Sequence, residues 1–144
     1  MLDRLGIEGF KSIDKLDVDL KGLTVLVGMN SSGKSTIIQS ILLAVQNISF
    51  NNGSPLNGLL VSLGEFQEAR NYIVNSKEII INLSNLETQK TLKFKFFEKN
   101  GEIKCSKTGS DKSIAKLLKY QNKFQDIFVE NQRLRIGEEL ESVA

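Results

Sequence analysis

Histidine is absent from the 144 residues of this chain, and cysteine and proline occur once each. Without histidine, the chain by itself cannot build a Ser-His-Asp or Cys-His catalytic group, or a histidine metal site. The single cysteine, Cys105, excludes a disulfide within the chain and indicates a reducing compartment. These absences remove the commonest nucleophilic hydrolases and zinc sites from consideration.

An excess of charge of one sign and long apolar runs are also missing. Lys and Arg number 19 and Asp and Glu 17, so the net charge of +2 indicates neither a nucleic-acid nor a membrane partner. No apolar run reaches the roughly 18 residues of a membrane span, and charges interrupt the first ten residues, unlike a signal peptide. We therefore expect a cytoplasmic protein with no membrane segment. At 40% hydrophobic residues, the chain has enough apolar surface for one domain.

Apolar periodicity in the first part of the chain predicts strands followed by a helix. Period-two spacing predicts half-buried strands over residues 2–10 and 13–20. A nearly all-apolar, β-branched run over residues 23–27 predicts a strand buried on both faces. Helical spacing continues from Ile37 to about residue 47, before a turn-rich stretch that contains the only proline.

The second part of the chain has a different pattern. Apolar runs separated by turn residues predict an antiparallel meander over about residues 77–106. Residues 111–144 have helical spacing, which Gly137 interrupts.

A glycine-rich stretch carries the chemistry. From Gly28 to Ser35 the chain reads GMNSSGKS, which matches the phosphate-binding pattern G-x-x-x-x-G-K-[ST] in full. The glycines, including Gly33, let consecutive N–H groups and the following helix N-terminus point at a phosphate. Lys34 would then lie near the β- and γ-phosphates, and the Ser35 hydroxyl would complete a Mg²⁺ site. Thr36 would donate to the α-phosphate. The predicted cofactors are therefore ATP and Mg²⁺.

Residues 5–36 resemble the N-terminus of ABC-type ATPases of the SMC, RecF and OLD group. The specific features are Phe10-Lys11-Ser12 upstream of the loop and Asn30 at the loop's third position. Within this group the chain looks most like bacterial AAA family ATPases of phage-defence systems, such as the ATPase subunit of Septu. The resemblance covers about residues 1–106 and includes residues 63–71, which follow the first helix.

The resemblance implies further members of a nucleotide site. Lys11 and Ser12 would lie near the bound nucleotide, although Lys11 has the alternative interpretation of a solvated charge at a strand end. Asn30 would belong to the part of the loop that faces the γ-phosphate, and Ser31 and Ser32 complete the loop.

Gln67 is a candidate for the family's glutamine that senses Mg²⁺ and the γ-phosphate. Its position before the antiparallel strands is early for that role, so it is not among the predicted site residues.

Two motifs that such ATPases need are missing. No run of four apolar residues is followed by Asp-Glu, so there is no Walker B motif, and residues 83–86 lack the glycines of a signature motif. Without an acidic Mg²⁺ ligand and a catalytic glutamate, a P-loop supports little hydrolysis, and the catalytic residues stay unknown. We expect the N-terminal part of a longer ATPase, with an apolar sheet edge left exposed where the missing central strand would pair.

The predicted fold is an α/β P-loop NTPase lobe, similar to the head of an ABC ATPase. Residues 1–110 would form the ATP-binding lobe with its antiparallel meander, and residues 111–144 would start a helical insertion. The predicted function is ATP binding for an ATPase that acts in DNA processing or phage defence. The alternatives are a small P-loop kinase or phosphotransferase, and a non-catalytic interaction fragment.

The predicted partners follow from the resemblance and from lysine distribution. Head dimerisation would pair the chain with itself or with the remainder of a longer ATPase, and a nuclease is a further candidate partner. DNA is a candidate because the second half is rich in lysine, and Lys93 and Lys95 would share one face of a strand. The alternative is that these lysines form a solvated outer face while the neighbouring aromatic residues pack in the core.

Overall fold

The computed structural model describes residues 3–21, 24–28, 33–48, 53–87 and 89–109. The elements, in chain order, are β1 (Arg4–Phe10), β2 (Ile13–Asp19), α1 (Lys34–Gln46), α2 (Phe66–Ala69), β3 (Glu78–Asn85), β4 (Lys90–Lys99) and β5 (Glu102–Thr108). The strands form one sheet in the order β2-β1-β3-β4-β5, and every neighbouring pair is antiparallel.

One face of the sheet forms the core with α1. Alternation along each strand places apolar side chains on this inner face, and the register aligns them across strands, with Ile81 opposite both Ile7 and Phe94. From α1, Leu43 and Ala44 pack into the same cluster. The strand residues that are almost fully buried there are Leu5, Ile7, Phe10, Ile79, Ile81, Leu83, Leu92, Phe94 and Phe96.

Two hairpins have two-residue turns, and the turn between β4 and β5 has the residue types that its sequence predicts. Lys99 pairs with Glu102, so Asn100 and Gly101 form a two-residue turn in which both φ angles are positive, 55° and 75°. Between β1 and β2, Lys11 and Ser12 form another two-residue turn. The strands predicted over 2–10 and 13–20 are observed over 4–10 and 13–19, and the helix predicted to about residue 47 ends at residue 46. The meander predicted over about 77–106 is observed as β3, β4 and β5.

The C-terminal end of α1 is fixed by polar side chains. The buried Asn47 amide donates to the Leu43 and Pro55 carbonyls, at 2.8 Å each. Lys107 lies on the inner face of β5 and donates from its Nζ to the Ile48 carbonyl, at 3.0 Å. A cation at this position also complements the negative end of the helix dipole.

Among the described residues, no helix combines the length and apolar composition that a membrane crossing requires.

The predicted buried strand before the loop is wrong for residues 24–28. These residues form no strand, and the side chains of Val25 and Val27 are 70% and 88% exposed. A strand needs a neighbour to hydrogen-bond, and in the described part of the chain no strand pairs with this segment. The apolar exposure that we expected at a missing central strand is present, but without strand structure.

The described residues show only part of the predicted fold. They form a wholly antiparallel sheet with one long helix. The helical prediction for residues 111–144 lies outside the described residues.

Candidate functional site

The N-terminus of α1 has the geometry of an anion site. Gly33 precedes the helix in the left-handed region, with φ 93° and ψ 7°, and no side chain caps the first turn. The Ile37 N–H donates to the Gly33 carbonyl at 3.1 Å, so the N–H groups of residues 34–36 precede the first turn's bonds and have no partner inside the helix. The first turn also carries no acidic residue that would repel a phosphate.

The lysine of the motif, Lys34, reaches back to the first residue of the motif. Lys34 Nζ donates to the Gly28 carbonyl, so the side chain spans from one end of the loop to the other. This ammonium belongs to the first residue of α1. Added phosphate oxygens would offer it charged acceptors in place of a neutral carbonyl, and charge-assisted hydrogen bonds are the stronger kind.

The turn between β1 and β2 lies beside the loop. A Cβ added to Gly33 would lie 3.7 Å from Ser12 Oγ, so the Ser12 hydroxyl is adjacent to the start of α1. Lys11 adopts a positive φ of 49°, and its N–H donates to the Ala69 carbonyl at 2.8 Å. The structure therefore brings Ser12 to the loop and anchors the backbone of Lys11 nearby.

The described residues could hold Mg²⁺ only together with a bound phosphate. Ser35 is exposed at the start of α1 and offers a hydroxyl, whereas Thr36 is 8% exposed. The described part of the chain contains no group of three or more Cys, Asp or Glu residues that could hold a metal ion. Mg²⁺ would therefore take ligands from the nucleotide, water and Ser35, since it retains waters readily.

Three predicted loop residues, Asn30, Ser31 and Ser32, lie outside the described residues. Gln67 lies on the exposed side of α2, and its amide is 3.5 Å from Glu98 Oε2 at the end of β4. Its only hydrogen-bond contact within the described ranges is thus with the sheet and not with the loop.

A comparison with family models decides the family. The model of the AAA ATPase domain matches residues 1–136, almost the whole chain. The chain belongs to this AAA ATPase domain family. The chromosome partition protein Smc of Methanocaldococcus jannaschii is 43% identical over 49 residues, which are 33% of this chain and 4% of that relative. The resemblance to the N-terminal part of SMC-like ATPases is thereby confirmed.

A cavity of this AAA ATPase domain lies away from the loop. It has a volume of about 370 Å³ and is lined by residues that include Asn47, Pro55, Cys105 and Lys107, at the C-terminal end of α1. The 13 residues of α1 separate it from Gly33 by about 20 Å. Burial raises the pKa of the Cys105 thiol to about 11, partly opposed by Lys107, so this thiol is a poor nucleophile.

Two lysines of β4 share one face of the strand, as predicted, and this face points away from the core. Lys93 and Lys95 lie on the outer face, and Lys95 forms an ion pair with Glu78 at 3.5 Å. Phe94 and Phe96 are fully buried on the inner face, so their rings are not available for stacking on nucleic-acid bases. Only Phe97 stays half-buried on the lysine side.

Gly33 offers a test of the loop geometry. In Gly33→Ala, the left-handed φ should cost about 1–2 kcal/mol, and ATP affinity should fall roughly tenfold as the loop shifts. Gly101→Ala is the matched control, because Gly101 also has a positive φ, 75°, with open space where a Cβ would lie. Denaturant titration should show similar destabilisation in both variants. Calorimetry should show lost affinity only in Gly33→Ala, and an equal loss in both would contradict a specific role for Gly33.

Proposed function

We propose that this AAA ATPase domain binds ATP with Mg²⁺ at the loop of residues 28–35. The observation that supports this most directly is the N-terminus of α1, where Gly33 leaves the helix uncapped and Lys34 spans the loop. Uncapped N–H groups, a positive dipole end and an ammonium together match a polyphosphate. The binding set that we propose is Gly28, Asn30, Ser31, Ser32, Gly33, Lys34, Ser35 and Thr36, with Lys11 and Ser12 beside it and Ser35 as the metal ligand.

We also propose that this domain holds ATP without hydrolysing it efficiently by itself. Phosphoryl transfer to water needs a group that orients the water and acidic residues that hold the metal. The sequence has no Walker B motif, and the described residues contain no acidic cluster. The exposed Val25 and Val27 supply an unpaired apolar segment directly before the loop, where a strand carrying those acids could pair.

The test is calorimetric titration of the purified chain with ATP and Mg²⁺, beside a phosphate-release assay. Saturable binding with negligible phosphate release is the expected result. Absence of binding would refute the proposed function for this chain. Sustained turnover would refute the proposal that this domain does not hydrolyse ATP efficiently by itself. It would also require acidic residues that the sequence pattern does not reveal.

We propose DNA processing or phage defence as the wider role, with a longer ATPase or a nuclease as partner. The support is the similarity to a chromosome partition protein, the resemblance to phage-defence ATPases, and the outer-face lysines of β4. If DNA is bound, affinity for a duplex should fall steeply with added salt, because phosphate contacts release counterions. Binding that is absent or insensitive to salt would remove DNA as a direct partner of this part.

A small-molecule kinase is less well supported. Such an enzyme needs cationic side chains that are free to bind its acceptor. Of the two arginines in the described residues, Arg70 is bonded to Asn75 and Ser76, and Arg4 lies near Asp17 at 3.9 Å. After α1 the chain continues into a loop that is held by hydrogen bonds, and then into the antiparallel strands β3, β4 and β5. We therefore favour the ATPase interpretation.

A further inference from the structure

The last strand of the sheet, β5, has one long edge with no neighbouring strand in the described part of the chain. Its pairing with β4 starts at Lys99 and Glu102, which close a two-residue turn and therefore exchange backbone hydrogen bonds. Along an antiparallel pair, such residues alternate with residues whose backbone groups point away from the partner strand. The alternate residues of β5 are Ile103, Cys105 and Lys107, so their N–H and C=O groups point to the open edge.

The backbone groups on this edge are unpaired. Those of Ile103, Cys105 and Lys107 form no hydrogen bond with other described residues outside the β4–β5 pairing. Unpaired groups on an edge strand are a template for one more strand. β5 contains no proline, and its pairing with β4 has no bulge, so neither device blocks the edge.

A groove runs along this edge, and we call it the β5 groove. It is the cavity of about 370 Å³ at the end of α1, lined by β5 residues 102–105 and 107 and, across from them, by Asn47, Gly53 and Pro55. Residues directly opposite each other on paired strands place their side chains on the same face of the sheet. A strand added to β5 would therefore direct the side chains opposite Cys105 and Lys107 into the β5 groove.

Two polar groups in the β5 groove indicate which side chain it suits. Lys107 Nζ donates to the Ile48 carbonyl, and an ammonium has further N–H groups to donate. Asn47 is fully buried, and its amide donates to two carbonyls, yet its Oδ1 has no hydrogen-bond partner. A buried acceptor without a donor is costly. A carboxamide matches both groups, because its oxygen can accept from Lys107 and its NH₂ can donate to Asn47.

The other charges that line the β5 groove neutralise each other. Glu102 and Lys104 form an ion pair at 3.5 Å, on the face of β5 opposite to that of Lys107. Lys107 is thus the one unbalanced charge among these lining residues. A lysine that points inward on an edge strand disfavours indiscriminate pairing with apolar strands. It therefore selects a strand that places an acceptor opposite Lys107.

We propose that the β5 groove binds an extended segment of a partner protein as an additional strand, antiparallel to β5. An Asn or Gln side chain of the partner lies opposite Lys107, and apolar side chains lie opposite Cys105 and Ile103. Because the two strands run in opposite directions, the partner segment reads carboxamide-x-apolar-x-apolar from its N-terminal end. This site lies at the C-terminal end of α1, so it goes beyond the proposed ATP binding and needs no nucleotide.

The first test is a nuclear magnetic resonance titration of the full, isotopically labelled chain with the peptide TQTVTVT, blocked at both ends. Binding should be saturable, should shift the amide signals of Ile103, Cys105 and Lys107, and should slow their exchange with solvent. The matched control is TVTVTQT, which has the same composition in reversed order. It should bind at least tenfold more weakly, or about 1.4 kcal/mol. The proposal is overturned if TQTVTVT does not saturate the chain by about 1 mM, or if both peptides bind equally.

Methylation of the peptide backbone tests strand addition separately from side-chain binding. In the proposed antiparallel pairing, the Gln and Val residues of TQTVTVT exchange backbone hydrogen bonds with β5, whereas the Thr residues between them point their N–H groups away. N-methylation of the Gln and Val residues should abolish binding. N-methylation of the intervening Thr residues should change the affinity by less than about threefold. Equal losses in the two methylated peptides would contradict strand addition.

A substitution at Cys105 tests the edge from the side of the protein. Cys105→Pro removes an N–H that points to the open edge and leaves the hydrogen bonds to β4 in place, so it should abolish peptide binding. Cys105→Val is the matched control and should retain it. Wild-type affinity in a folded Cys105→Pro chain would overturn the proposal, and the methylated peptides decide the question if that variant does not fold. No measurement includes ATP, so peptide binding and ATP binding can fail independently.

Discussion

Lys34→Ala is expected to lower the affinity for ATP with Mg²⁺ by about tenfold to a hundredfold while leaving the free energy of unfolding nearly unchanged. A hydrogen bond to a charged group contributes about 1.5–3 kcal/mol, which corresponds to that range of affinity. The folded chain loses little, because the hydrogen bond that Lys34 donates to the Gly28 carbonyl lies in an exposed position. Calorimetric titration gives the affinity and denaturant titration gives the stability.

Lys99→Ala is the matched control for this substitution. Lys99 is exposed at the end of β4 and is also a lysine, so its removal changes the net charge equally. Its ATP affinity should equal that of the wild-type chain. An unchanged affinity in Lys34→Ala would remove Lys34 from the proposed site, and an equal loss in both variants would point to a non-specific charge effect.

Phe96→Ala should produce the largest loss of stability among the substitutions considered, about 3–5 kcal/mol. Phe96 is fully buried and lies opposite Ile79 on β3 and Cys105 on β5. Truncation would leave a cavity between three strands that cannot close without shifting the sheet. Since small domains have about 5–15 kcal/mol in total, this variant should be close to unfolding, as followed by denaturant titration.

The next residue along the strand provides the control. Phe97 points to the opposite face, is only half-buried, and lies opposite Glu78 and Lys104. Phe97→Ala should therefore cost less than half as much. Equal losses would mean that both faces of β4 are packed, contrary to the one-sided core of the described structure.

Most of the strands and α1 were predictable because their signal is local. A strand with one buried face needs alternating apolar residues, and Leu92, Phe94 and Phe96 provide that pattern. The Asn100-Gly101 pair likewise specifies a tight turn by itself, because both positions need a positive φ. In the site, the motif predicted the residues that begin α1, and the structure has an uncapped helix N-terminus there.

Other features could not be predicted from local pattern. The apolar run over residues 24–28 has the composition of a buried strand, yet Val25 and Val27 are exposed, because composition cannot supply a neighbouring strand. Residues 72–74 depart from their local pattern in the opposite direction. Three apolar residues in succession favour burial, and only the bonds from Asn71 and Arg70 show that the turn is held at the surface.

The sequence by itself determined that the chain carries a phosphate-binding motif and that it has no histidine and no Walker B motif. It also determined which face of each strand points inward. These are properties of residue type and spacing, which act over a few neighbouring positions. Only the tertiary structure decided that Ser12 lies beside Gly33 and that Lys107 reaches the end of α1. It also decided that no described strand covers Val25 and Val27. Each of these depends on contacts between residues far apart in the chain, which the packing of the whole sheet determines and no local pattern encodes.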